Sequence, residues 1–238
     1  MERIDKIIAS ALSVTRSEAK TLVKQKQVQK NGVTVKSADE KADLQQDVIT
    51  VGGRKIEYNK YVYIMMNKPQ GVISSTDGSK TGEKTVLDIL PEGFGRRGLF
   101  PAGRLDKDTT GFLLITDDGE FAHNILSPKK HIEKTYVAVL DKPVQPSDIA
   151  AFEQGVEIGG ELCLPAKLKP ISSDGKTAEV VISQGMYHQV KRMFASRGIK
   201  VLELKRTKMG ALELDGTLAP GQCRFINNDE LALIFSEK

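Results

Sequence analysis

The strongest constraint on the fold is a change of character near residue 60. Residues 1–60 carry 12 Lys+Arg against 8 Asp+Glu, while residues 61–238 carry 23 of each, so the whole net charge of +4 belongs to the first quarter of the chain. Within residues 1–36 the count is 8 against 3. A polar stretch over 54–60 separates this basic segment from a β-rich run over 61–66. At about 100–200 residues per domain, a chain of this length holds one or two. The break favours two: a small module over residues 1–58 and a larger domain over 60–238, with a flexible hinge at the polar stretch. A local basic surface on an otherwise balanced chain suits a polyanionic partner. The plainer reading is a solvated helix face.

Local patterns fill in both parts. Ile4, Ile7, Ile8 and Leu12 share one helical face, and Arg3 and Lys6 fall away from it. Thr15 followed by Glu18 predicts a capping box opening a second helix over 16–26. That helix turns Ala19, Leu22 and Val23 inward and sets Arg16, Lys20 and Lys24 outward as a basic stripe. Asn31-Gly32 between short β-formers predicts a tight hairpin. Beyond residue 60, strands are predicted over 61–66, 111–116, 134–140, 167–171, 177–183, 201–204 and 211–214. Helices are predicted over 119–126, 146–155, 187–197 and 229–234, the third with Val190, Phe194 and Ala195 inward. A short helix starting at Thr85 is also expected. Many strands with few helices indicate an α+β fold with a mixed, mostly antiparallel sheet.

Several classes of function fall away. The longest apolar runs are far short of the roughly 20 residues that span a bilayer. The charged start from Glu2 lacks a secretory leader's pattern. Cys163 and Cys223 stand 60 positions apart, which excludes a disulfide scaffold and a CxxC zinc site and fits the cytoplasm. His123, His131 and His188 lack metal-ligand spacing, so no metal is expected. No phosphate-binding glycine signature and no GxSxG elbow is present.

What remains is concentrated in three segments. Residues 101–119, PAGRLDKDTTGFLLITDDG, place Asp106 in a loop ahead of an apolar, buried strand, where a rigid scaffold can present a carboxylate to a cleft. The bland reading of any loop Asp is a turn or cap residue, which suits Asp117, Asp118 and Asp108. Asp106 and Asp108 as a glycosidase pair is disfavoured, because residues two apart on a strand face opposite sides. Residues 185–194, GMYHQVKRMF, bring Lys191 and Arg192 to the start of a helix, able to pair with a carboxylate or phosphate. In the third segment, residues 131–136 (HIEKTY), Tyr136 faces either the core or a cleft.

These segments carry a resemblance. RIDK (3–6), TRSEAK (15–20) and VQKNGVTV (28–35) resemble the S4 RNA-binding domain. NKPQGVISST (67–76), GRLDKDTTGFLLITDDGE (103–120), SPKKHIEKTY (127–136), GMYHQVKRMF (185–194) and MGALELDGTLAPGQCR (209–224) resemble the RsuA-like pseudouridine synthases. The wording of the blocks is closest to members acting on 16S rRNA, and members acting on 23S rRNA share most of it. The resemblance implies isomerisation of uridine to pseudouridine in RNA, with no cofactor. It implies that Asp106 is the catalytic aspartate, as nucleophile at C1′ or as the group assisting loss of the C2′ proton. Lys191 maps onto the cation beside it, Tyr136 onto the tyrosine that stacks on the uracil, and Arg104 onto the residue holding the target nucleotide out of its helix. Val190 maps onto the apolar floor of the base pocket. Phe112 replaces a more usual aliphatic residue, which is expected to be a packing change. Backbone contacts are expected from Arg3, Lys6, Arg16, Lys20 and Lys24, and from Lys68, Lys129, Lys130, His188 and Arg192. The expected partner is 16S rRNA, free or in a partly assembled small subunit, met by a monomer. The competing reading is an S4-type protein that binds ribosomal RNA without chemistry.

Overall fold

The computed structural model describes residues 1–12, 14–43, 46–56, 58–96 and 98–236. Two compact units divide the chain: Met1–Val62 with Gly95–Gly98, and Tyr63–Phe94 with Leu99–Lys238. No described helix is long and apolar enough to cross a membrane.

The first unit runs β1 (Glu2–Arg3), α1 (Ile4–Ala11), α2 (Arg16–Lys24), β2 (Val28–Lys30), β3 (Val33–Thr34), β4 (Lys41–Ala42), β5 (Ile49–Val51) and β6 (Arg54–Lys55). Ile4, Ile7 and Ile8 of α1 are fully buried against Ala19 and Val23 of α2 and Val28 of β2. The Thr15 hydroxyl accepts from the Glu18 N–H, and the Glu18 carboxylate accepts from the Thr15 N–H, which completes the capping box. Asn31 and Gly32 both take positive φ in the β2–β3 turn. Leu12, placed on the apolar face by its spacing, is instead exposed, because α1 ends at Ala11. The stretch expected to be a linker also begins as structure: Arg54–Lys55 pairs antiparallel with β5. Gly52 and Gly53, both at positive φ, turn the chain back so that the β5 edge finds its partner. Glu57 of that stretch lies outside the described residues.

The second unit runs β7 (Tyr63–Lys68), β8 (Phe100–Pro101), β9 (Thr110–Thr116), α3 (Gly119–Leu126), β10 (Lys134–Leu140), α4 (Pro146–Gln154), β11 (Glu157–Ile158), β12 (Glu161–Leu162), β13 (Lys167–Pro170), β14 (Thr177–Ile182), α5 (Gln189–Ser196), β15 (Val201–Met209), β16 (Leu212–Glu213), β17 (Cys223–Phe225) and α6 (Asn228–Ile234). One sheet carries it, in the order β13-β14-β10-β15-β9-β7-β17, with β8 and β16 attached to β9 and β15. All its ladders are antiparallel except β15 with β9. The sheet is thus mixed and mostly antiparallel.

β9 explains its own sequence. Residues 111–116 are all buried, so both faces are covered, and the strand reads as a continuous apolar run rather than an alternation. Phe112 and Leu114 pack with Ala122 and Ile125 of α3 and with Leu231 and Ile234 of α6. On α5, Val190, Met193 and Phe194 are buried, whereas Ala195 is exposed, contrary to its expected inward position. The helix expected from Thr85 does not form; Thr85 caps a run of turns through Asp88 instead.

Gly111 fixes the one parallel ladder. Its φ is +98°, and a Cβ there would lie 2.2 Å from the Arg206 carbonyl oxygen on β15. Gly111→Ala is expected to lose about 2–4 kcal/mol, from left-handed strain plus overpacking. Urea unfolding beside Gly119→Ala, whose Cβ would meet nothing within 4 Å, checks this. Equal midpoints for the two variants would contradict the steric argument.

Candidate active site

The site forms where the loop between β8 and β9 meets the N-terminal turn of α5. The loop is held from below by Lys68, at the end of β7. Its Nζ donates to the carbonyl oxygens of Thr109 at 2.9 Å, Asp106 at 3.0 Å and Pro69 at 3.2 Å. Ser74 adds a second clamp: its hydroxyl donates to the Leu105 carbonyl at 2.9 Å and accepts from the Leu105 N–H at 3.0 Å. The Asp106 backbone is therefore fixed by groups from a neighbouring strand and loop, not by its own turn alone.

Lys68 is a correction. Expected to contact RNA, it is 0% exposed and has no path to a phosphate. Burial pulls its ammonium down to about 8, even with Asp106 and Asp108 nearby favouring the charge. Its role is to gather loop carbonyls.

The Asp106 side chain is one-quarter exposed and opens to the cleft. Lys191 Nζ lies 3.0 Å from Asp106 Oδ2 and 2.5 Å from Asp108 Oδ1, so one ammonium bridges two carboxylates. Burial opposes the charge on Lys191, but its bonds to Asp108 and Asp106 outweigh that and raise its pKa. The same bond to Lys191 lowers the Asp108 carboxyl. Asp108 is thus an ion-pair partner rather than a simple cap. It escapes the strand alternation because residues 106 and 108 lie in the loop before β9.

His188 reaches the same carboxylate, with Nε2 3.4 Å from Asp106 Oδ1. It caps α5 in the left-handed conformation, φ 50°. Its ring stacks on exposed Tyr187, with centroids 3.8 Å apart. Gln189, buried, accepts from the Met186 N–H at 3.1 Å and fixes the turn that presents this pair.

Asp106, Tyr136, Val190, Lys191 and Arg104 line one small pocket, floored further by Ile182 of β14 and Leu204 of β15. Tyr136 and Val190 are buried, and Arg104 is exposed. The pocket opens into a cleft of about 890 Å³ that runs past Ser75, Leu126, Lys134 and Arg206. The expected catalytic set thus converges. Ile182, Leu204 and Lys134 read in the sequence as ordinary strand residues, and Arg206 falls beyond the strand expected over 201–204, which in fact runs on to Met209.

The expected RNA contacts fare unevenly. Arg3 is paired with Asp5 at 2.9 Å and with Asp39, Arg16 with Asp5 at 2.9 Å, and Lys6 with Glu2 at 2.7 Å. Each thus has a partner within the chain: Asp5, 0% exposed, draws in the two guanidinium groups, and Glu2 takes Lys6. Those bonds overcome burial and hold the Asp5 carboxyl below its ordinary range. Lys20, Lys24, Lys129 and Lys130 are exposed. Arg192 lines neither cavity; its guanidinium donates to the Tyr187 carbonyl and sits over Gly159, between β11 and β12.

A carboxylate bridged by a lysine, in a small pocket that also holds Tyr136, Val190, Ile182 and Leu204, offers a charged reacting centre beside surfaces that suit a flat base. The chain belongs to the RNA pseudouridylate synthase family: that family's pattern matches residues 62–196, and the S4 domain pattern matches residues 2–49. It is similar to an uncharacterised RNA pseudouridine synthase of Bacillus subtilis, YtzG, at 43% identity over 98% of each chain. It is 42% identical to ribosomal small subunit pseudouridine synthase A of Vibrio cholerae, over 98% of this chain and 99% of that one. The counterpart of the same name in Escherichia coli K12 is 41% identical over the same shares. A crystal structure of a pseudouridylate synthase superposes with a TM-score of 0.67 at 38% identity, over 98% of this chain and 100% of that one.

Proposed function

We propose that this enzyme isomerises one uridine of small-subunit (16S) ribosomal RNA to pseudouridine, with Asp106 as the catalytic aspartate. One observation carries the assignment to Asp106: it is the carboxylate that lines the small pocket together with Tyr136, Val190 and Lys191. The small-subunit substrate is supported by the naming of relatives matched over nearly the whole chain.

The reaction moves one bond. The N1–C1′ bond breaks, the uracil turns, C5 joins C1′, the C5 proton leaves and N1 ends protonated. Nothing is oxidised, and no group departs from the RNA. An ionised Asp106 beside C1′ serves either as the nucleophile that holds the sugar or as the base that takes the C2′ proton. Lys191 keeps a positive charge against it. Tyr136 supports the uracil face near C5, and Val190 closes the apolar side. Arg104, exposed at the mouth, holds the extruded nucleotide. Extruding that base costs a few kcal/mol, and phosphate contacts from the S4 domain offset it. The enzyme acts as a monomer, on free RNA or on a partly assembled subunit.

The test is tritium release from RNA labelled at uracil C5. Naked 16S and 23S rRNA are compared, each also with small-subunit proteins bound. Release from 16S alone is expected. Release from 23S alone would keep the chemistry and overturn the substrate. Binding without release from any of them would favour an S4-type binding protein.

A further inference from the structure

Two cations on the floor of the large cleft have no carboxylate partner among the described residues. Lys134 and Tyr136 stand two residues apart on β10 and so share a face. Arg206 on β15 lies across the ladder from Tyr136. All three line the cleft beside Asp106. Lys134 is 6% exposed and Arg206 3%. Arg206 Nε donates to the Phe112 carbonyl at 2.7 Å, while its Nη2 is buried and meets no acceptor among the described residues. Burial, and then repulsion from Arg206, draw the Lys134 ammonium down to about 8, which leaves it mainly charged at neutral pH. An unpaired ion held out of water is strongly disfavoured. Such a pair is tolerable where an anion completes it.

We propose that Lys134 and Arg206 form a subsite for one backbone phosphate of the RNA, next to the target nucleotide. Both line the cleft but not the small pocket that holds Tyr136 and Val190, so they meet the chain that carries the base rather than the base itself. A guanidinium whose Nη2 has no acceptor among the described residues, and an ammonium beside it, match a phosphodiester's two unesterified oxygens once small side-chain shifts admit them from the cleft. The subsite rests on reading this cleft as the substrate cleft.

Lys134→Met, Lys134→Arg and the native protein separate the possibilities in two assays. The first is thermal melting in inorganic phosphate against chloride at equal ionic strength. Phosphate is expected to raise the melting temperature of the native protein and of Lys134→Arg, but not of Lys134→Met. In chloride, Lys134→Met should melt no lower than native, because it removes an uncompensated buried charge. The second is affinity for 16S rRNA across a salt series. Lys134→Met is expected to bind about tenfold more weakly, the scale of one charge-assisted hydrogen bond. Its log–log salt dependence should be shallower by about 0.7, one phosphate contact on a single strand. Lys134→Arg should restore both. Equal phosphate protection of native protein and Lys134→Met would overturn the subsite. So would native affinity and slope with loss only in kcat, which would put the ammonium at the uracil. If 16S rRNA yields no product while both assays behave as stated, the substrate assignment fails and the subsite stands.

Discussion

Asp106→Asn is expected to abolish pseudouridine formation, by about 10³-fold or more in single turnover, the scale on which an essential catalytic group is felt. The fold and the affinity for RNA should survive. The amide is close to isosteric, and the loop backbone is held by Lys68 and Ser74 through carbonyl and N–H groups the substitution leaves in place. Lys191 also keeps a partner in Asp108 at 2.5 Å, so no cation is stranded. The variant should therefore melt near the native temperature and saturate with RNA at a similar concentration. Product from Asp106→Asn at a rate within tenfold of native would remove Asp106 from the mechanism and return attention to Asp108, the other carboxylate on Lys191.

That Asp106 was visible in the sequence while its supports were not has a physical reason. Signals within one turn or one strand are written in adjacent residues. The Thr15–Glu18 capping box, the Asn31-Gly32 hairpin and the buried run of β9 were all legible, and each formed. The supports are long-range. Lys68 reaches carbonyls 38 and 41 positions away, and Lys191 reaches Asp108 across 83. No local period marks a lysine that will be fully buried; composition alone makes it a surface cation. In the first unit a charge count likewise shows nothing of the ion pairs that Arg3 and Arg16 make. A single buried acid, Asp5, claims both. Arg206 illustrates the point from the other side: its place beside Tyr136 depends on strand order, with β15 joining β10 to β9, and nothing in its neighbours announces that order.

Lys191→Met should lower kcat/KM by about 100-fold, the scale of removing one fixed charge from a partly desolvated site. Lys191→Arg should recover most of this, because it keeps the charge within reach of both carboxylates. The variant also has a pH signature. In the native protein the Asp108 carboxyl is lowered from its ordinary 3.8 by Lys191, so its contribution to stability is present above that value and is lost as pH falls through the folded one. Lys191 is raised above its ordinary 10.5, because its bonds to Asp108 and Asp106 outweigh burial. Its contribution is therefore complete below that value and is lost as pH rises through the folded one. The native protein should exceed Lys191→Met in urea stability across the window between those limits, and the two curves should converge on either side. The gap will be modest, since Asp108 is 63% exposed and solvent screens the pair. Activity should fall much further than stability, because removing the ammonium leaves Asp106 and Asp108 as like charges in one small loop. A stability gap independent of pH would mean that the methionine acts through packing. Activity within threefold of native would mean that the bridge orders the loop without taking part in the chemistry.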